Sequence, residues 1–131
     1  MKTLIAISVA MALVSNVAIG SVVDEMQATF EQQASAANSN AGKALWNKSF
    51  TDTESGQQRS CTSCHGEDAY ASGKHVRTGK VIEPIAPSAT PLRFTERRKI
   101  NKWFKRNCKW TLGRECSAQE KADLLSFLKT L

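Results

Sequence analysis

The stretch that most limits what this chain can fold into is Cys61-Thr62-Ser63-Cys64-His65. Two thiols stand two residues apart, with an imidazole beside the second. This C-x-x-C-H spacing lets both sulfurs add to the two vinyl groups along one haem edge. The imidazole can then turn under the iron as proximal ligand. A chain that holds one covalent haem c through Cys61, Cys64 and His65 must wrap around it, so the cofactor supplies much of the core. Two rival uses of the thiols fit less well. A redox C-x-x-C belongs in a βαβ setting, and no strand-like alternation of any length is visible. A zinc site would need further Cys or His at close spacing, which His75 alone does not supply.

The first 20 residues read as a signal peptide. Met1-Lys2 is a positive start, the apolar run from Leu4 to Ile19 is broken by Ser8, Ser15 and Asn16, and Ala18-Ile19-Gly20 is a small-x-small cleavage signal. The run of about 16 residues is short for a membrane span. Cleavage before Ser21 places the mature chain in the periplasm, where disulfides form. The remainder divides into a helix or loosely held arm over 21–40 and a haem domain over 41–131. No second apolar stretch approaches membrane length.

Formal net charge is +6, and +5 once Lys2 is removed. Residues 93–109 hold eight basic side chains against one acid, Glu96. A solvated helix face accounts for such a run. A docking surface for an acidic redox partner is the sharper reading. Nucleic acid does not suit the compartment.

Helical spacing predicts three main helices. The first covers 41–50, with Leu45, Trp46 and Phe50 on one side. The second covers 94–109, where Ile100, Trp103 and Phe104 follow i, i+3, i+4. The third opens on the capping box Ser117-Ala118-Gln119-Glu120 and continues through Leu124, Leu125, Phe127 and Leu128. Within 21–40, Val22, Val23, Met26 and Phe30 have rough helical spacing before a break over 35–40. Residues 65–90 contain Gly66, Gly73, Gly79, Pro84 and Pro87 and predict an irregular strap. The expected architecture is all-α and resembles the class I cytochrome c fold, in which an N-terminal helix crosses a C-terminal one. In that arrangement Gly42 sits at the crossing and Trp46 packs onto Leu124 or Phe127.

Cys108 and Cys116 flank a Gly turn, and in an oxidising compartment they are expected to pair. A loop this small stabilises by about 2.6 kcal/mol in the chain-entropy picture. It would tie the second helix to the third next to Asn107.

The sixth iron ligand is the open question. An ordinary electron carrier of this type uses a methionine downstream of the motif. Here the methionines are Met1, Met11 and Met26, all upstream of His65. The candidates are then His75, a lysine of the basic helix, Asn107, or nothing. Asn107 lies in line with Trp103 and Ile100, and spacing alone fits an ordinary hydrogen-bonded amide as well as a ligand. A carbonyl from the 84–91 segment is the expected acceptor for the His65 Nδ1–H.

Five segments carry a resemblance. Gly-Lys-Ala-Leu-Trp (42–46), Arg-Ser-Cys-Thr-Ser-Cys-His (59–65), Gly-Lys-His-Val-Arg-Thr-Gly-Lys (73–80), Lys-Trp-Phe-Lys-Arg-Asn-Cys (102–108) and Thr-Leu-Gly-Arg-Glu-Cys (111–116) resemble the sphaeroides haem protein family, SHP, of oxygen-binding monohaem c-type cytochromes. The resemblance implies that Asn107 is the sixth ligand of ferric iron, next to a Cys108–Cys116 disulfide. It implies that the amide leaves on reduction and that oxygen, nitric oxide or similar small ligands then bind. It also implies a diheme cytochrome c as electron donor, itself fed by a membrane cytochrome b. The alternatives are a plain electron carrier with His75 or a lysine as sixth ligand, and an enzyme acting on an oxygen or nitrogen oxide species. No acid-base group can be placed for the enzyme.

Overall fold

The computed structural model describes residues 21–131; the expected signal peptide, 1–20, lies outside the described residues. Five helices carry the fold: α1 (Val22–Glu31), α2 (Ser39–Asn47), α3 (Thr62–His65), α4 (Arg97–Leu112) and α5 (Ala118–Leu128). Between them lie two antiparallel hairpins, β1 (Phe50–Thr51) with β2 (Gln58–Arg59) and β3 (Gly73–Lys74) with β4 (Val81–Ile82). Strands of two residues are too short to show a period, which is why no alternation was legible. Among the described residues no helix is long and apolar enough to cross a membrane.

Helices α2 and α5 cross at the centre. A Cβ added to Gly42 would lie 2.0 Å from the Asp123 carbonyl oxygen. Only a residue without a side chain allows two backbones so close. The crossing seats Trp46 in a buried cluster with Leu124, Leu128, Ile85, Cys108 and Cys116, and Phe127 packs against its edge. Asn38 fixes the approach. Its side chain caps α2 by accepting from the Ala41 N–H at 3.1 Å, and its backbone N–H donates to Asp123 Oδ1 at 2.7 Å. The cap starts α2 two residues earlier than the apolar pattern suggested. Phe50 leaves the helix and pairs with Arg59 in the first hairpin.

Residues 22–31 form a packed helix rather than a loose arm. Met26 and Phe30 join Ile100, Ala122 and Leu125 in a second buried cluster. Phe30 meets Phe104 edge-on at 5.9 Å. Burial of two such side chains contributes about 1.5–3 kcal/mol each.

Helix α4 is shifted three residues along from the expected 94–109. Phe94 has φ 58, a left-handed backbone that costs a non-glycine residue about 1–2 kcal/mol and cannot continue into a helix. Its ring touches both buried clusters, which offsets the strain. The helix therefore begins after Glu96 and runs on through buried Thr111 until Gly113, at φ 73, ends it.

The α5 capping box forms as the sequence indicates. Glu120 also pairs with the Arg114 guanidinium at 2.7 Å. The hydrogen bonds from Arg114, followed by those from the Ser117 cap, outweigh desolvation and lower the Glu120 carboxyl from 4.5 to about 2. A depressed carboxylate stabilises the fold above its unfolded value and loses that contribution as pH falls through the folded one. Glu120→Gln is therefore expected to lower Tm by a few degrees at pH 7. Thermal melts should show the gap between variant and parent closing as pH drops from about 4.5 towards about 2.

Candidate haem site

Helix α3 is a single turn that carries the C-x-x-C-H run. The His65 N–H donates to Cys61 O at 3.1 Å and the Gly66 N–H to Thr62 O at 2.9 Å. Gly73, in β3, lies against this turn: a Cβ there would sit 2.2 Å from Cys64 O and 2.8 Å from His65 Cα. In the sequence Gly73 reads only as a chain breaker. Its role is to let the strap close onto the attachment turn.

Both thiols are free. Cys61 packs against the first cluster, and burial pushes its thiol up to about 11. A thiol held protonated is a poor redox nucleophile at neutral pH. The described residues also contain no βαβ unit, so the dithiol reading falls away. Among the described residues no three His, Cys, Asp or Glu side chains cluster to hold a bare metal ion.

The His65 ring lies against Trp46, with centroids 5.1 Å apart and planes tilted by 39°. Burial, and after it the positive charge of Arg93, push the His65 pKa down to about 4. The ring is therefore neutral at physiological pH, the form with a lone pair to offer a metal. Its Nδ1 is buried with no hydrogen-bond partner, and such a group in a native fold calls for an explanation beyond packing. Two free thiols and a neutral, half-buried imidazole on one turn fit a covalent haem. The carbonyl expected from the 84–91 segment does not reach Nδ1, and the strap is held by other bonds. Pro84 O accepts from Arg93 Nε at 2.9 Å and from Thr90 Oγ1 at 3.0 Å, and Glu83 O accepts from Arg93 Nη2 at 2.6 Å. Arg93 thus leaves the basic helix face to which the sequence assigned it and holds the strap instead.

Two faces of helix α4 bear on the site. Ile100, Cys108 and Thr111 are buried. Trp103, Asn107 and Trp110 follow i, i+4, i+7 along a neighbouring edge, and the first two are exposed. Ile100 lies two turns before Asn107 on the same line, but α1 covers only the earlier position. The Asn107 carboxamide makes no hydrogen bond to the chain among the described residues. The next residue, Cys108, is disulfide-bonded to Cys116 with Cα atoms 5.5 Å apart. That bond ties the Asn107 turn to the residue before the Ser117 cap.

Met26 and the other candidate ligands, His75 and the α4 lysines, are placed differently. Met26 is 2% exposed, inside the second cluster. His75 sits in the turn between β3 and β4, where its Nδ1 accepts from the Arg77 and Thr78 N–H groups at 3.3 and 3.2 Å. The ring caps its own turn there and could serve iron through Nδ1 only by giving up both contacts. The lysines of α4 lie outward. Arg97, Lys99 and Lys109 pair with Glu25, Glu96 and Glu115, and Lys102 and Arg106 both lie over the Trp103 ring at 5.3 Å.

Residues 32–128 match a family described as a domain of unknown function, DUF1924. The chain is 45% identical over 108 residues to the cytochrome c-type protein SHP of Cereibacter sphaeroides, covering 79% of this chain and 80% of that one. The chain belongs to the SHP family of c-type cytochromes. The solved structure of oxidised SHP, described as an oxygen-binding cytochrome c, superimposes with a TM-score of 0.76 at 40% identity over 85% of this chain and 98% of that one. Oxidised cytochrome c'' from Methylophilus methylotrophus gives a TM-score of 0.74 at 32% identity over 83% and 94% of the two chains. The class I cytochrome c-like fold expected from the helix crossing is thereby established, and the SHP resemblance read from the five segments holds. As a member of this family the protein carries one covalent haem c.

Proposed function

We propose that this SHP-family cytochrome is a periplasmic protein that binds small ligands under redox control, with Asn107 as the displaceable group. Cys61 and Cys64 hold the haem, and His65 is the proximal ligand. The haem supplies a one-electron couple and an iron position at which a small molecule can bind. Asn107 occupies that position in the ferric state. A neutral carboxamide is a hard, weak donor, better suited to ferric than to ferrous iron. Reduction would therefore weaken the hold of Asn107, and its departure would leave room for oxygen, nitric oxide or a similar diatomic. We read the haem domain as 41–131; the preceding segment contributes α1, packed against α4 and α5, and the first residues of α2.

The observation that carries this reading is Asn107 itself. It is an exposed amide with no bond to its own chain, beside Trp103, on a turn held by the Cys108–Cys116 disulfide. The ordinary alternative, a buried or helix-end amide with satisfied hydrogen bonds, does not describe it. Two relatives lend weight: SHP is described as oxygen-binding, and work on cytochrome c'' concerns haem-ligand detachment. The substitution test is direct. Asn107→Ala is expected to change the ferric optical and resonance Raman spectra while leaving the ferrous spectra as they are. His75→Ala should leave both alone. The reverse pattern would favour the plain electron carrier.

The electron donor in this reading is the one the SHP resemblance implies, a diheme cytochrome c fed from a membrane cytochrome b. Arg98, Lys102, Lys105 and Arg106 have no acidic partner among the described residues and share one side of α4. Such a stripe attracts an acidic donor and is screened by salt. Raising ionic strength from about 10 mM to about 150 mM, which shortens the Debye length from about 30 Å to about 8 Å, should slow reduction by the donor several-fold. Stopped-flow traces indifferent to salt would count against this face.

A further inference from the structure

We propose that Arg59 is a positioning residue for the Asn107 ligand, clamping the C-terminal turn of α4 to the haem-attachment turn and so setting how readily the amide leaves ferric iron. The inference rests on the Asn107 reading above and deepens it.

Arg59 stands two residues before Cys61, at the end of β2. Its Nη1 donates to Trp110 O at 3.1 Å and pairs with Asp52 Oδ2 at 2.6 Å. Its guanidinium carbon lies 5.0 Å from the centre of the Trp110 ring. The side chains of Arg59 and Asp52 are only 20% and 16% exposed, so solvent screens this pair less than the ion pairs of α4. Asp52 is itself fixed, since its Oδ1 accepts from the Ser55 N–H at 2.8 Å and from Ser55 Oγ at 2.7 Å.

The acceptor explains why a guanidinium is needed here. The last carbonyls of a helix lack intrahelical partners and carry the negative end of its dipole. Gly113 N–H satisfies Lys109 O, and Arg59 takes the next carbonyl, Trp110 O. The plane that stacks on an indole while donating to a carbonyl is a property of arginine that lysine lacks. Arg59 Nε is buried with no partner, so the side chain is not placed to satisfy all its own donors. It is placed by the stack and the carbonyl.

Asn107 is thereby braced from two directions. The disulfide at Cys108 fastens the turn to the start of α5, and Arg59 fastens Trp110, three residues beyond Asn107, to the segment that enters Cys61. Without the brace from Arg59, the end of α4 can drift from the attachment turn. The amide then reaches the iron less often, and an outside ligand replaces it faster. Ferrous iron has already released Asn107, so ligand entry there should not register the change.

The test compares imidazole binding to the ferric holoprotein with carbon monoxide binding to the ferrous one, by stopped flow. Arg59→Gln is expected to speed ferric imidazole binding about ten-fold, the effect of losing one charge-assisted contact, and to leave the carbon monoxide rate unchanged. Arg59→Lys should lie between parent and glutamine. Asp52→Asn, which leaves Arg59 its carbonyl and stack, should speed imidazole binding less, and it supplies the comparison if Arg59→Gln does not yield folded holoprotein. Asn107→Ala sets the upper limit. If the parent binds imidazole as fast as Asn107→Ala, Asn107 is not the ferric ligand and the clamp falls with it. If Asn107→Ala is fast but the Arg59 and Asp52 variants match the parent, the clamp alone is overturned. Equal acceleration of both ligands would also overturn it, since that is general loosening.

Discussion

Gly42→Ala is expected to lower the stability of the holoprotein by about 3 kcal/mol or more, a fall in Tm on the order of 15 °C for a domain of this size. The added methyl carbon would lie 2.0 Å from Asp123 O and 2.5 Å from its carbonyl carbon. Both atoms belong to backbone, so no rotamer change relieves the clash. The two helices must separate, and the separation reaches Trp46, Leu124 and Leu128 in the buried cluster. It also pulls on the bond from the Asn38 N–H to Asp123 Oδ1. Because Trp46 stacks on His65, the haem spectrum should shift as well. Gly113→Ala is the comparison. That residue has φ +73 but no atom within 4 Å of a new Cβ, so only backbone strain is expected, about 1–2 kcal/mol. Denaturant melts of the two variants side by side measure the difference. Equal losses would mean that the α2–α5 crossing tolerates a side chain.

Cys61→Ala combined with Cys64→Ala is expected to abolish covalent attachment altogether. A haem stain after denaturing electrophoresis reads this directly, and each single variant should retain a stained band through its remaining thiol. The double variant should also lose on the order of 3 kcal/mol or more of stability. A domain this small has little buried surface to spare, so losing the haem it wraps removes a large share of its apolar contacts. A stained band persisting in the double variant would mean attachment through other residues.

What the sequence made legible was whatever depends on local chemistry. The C-x-x-C-H run, the Ser117 capping box and the pairing of Cys108 with Cys116 each rest on residues a few positions apart. The crossing of Gly42 with the last helix was legible because only glycine suits so close an approach, and the likeness to the class I cytochrome c fold supplied its partner. The rest depended on contacts that no local pattern encodes. Helix α4 starts late because Phe94 takes a left-handed backbone to place its ring between two clusters. Arg93 counted as one more charge of the basic run until its bonds to Glu83 O and Pro84 O placed it on the strap. Arg59 lay in plain view within Arg-Ser-Cys-Thr-Ser-Cys-His. Its partners Asp52 and Trp110 are joined to it only by the fold. Met26 and Phe30 had helical spacing, but their place beneath Ile100 and Leu125 is a tertiary fact.

The central claim is that Asn107 closes the iron in one oxidation state and opens it in the other. The most direct measurement is the optical and resonance Raman spectrum of the purified holoprotein, ferric and ferrous, with and without carbon monoxide. The account predicts a six-coordinate ferric form and a ferrous form that has lost its sixth ligand and takes up carbon monoxide at once. A six-coordinate, low-spin ferrous form that ignores carbon monoxide would contradict it.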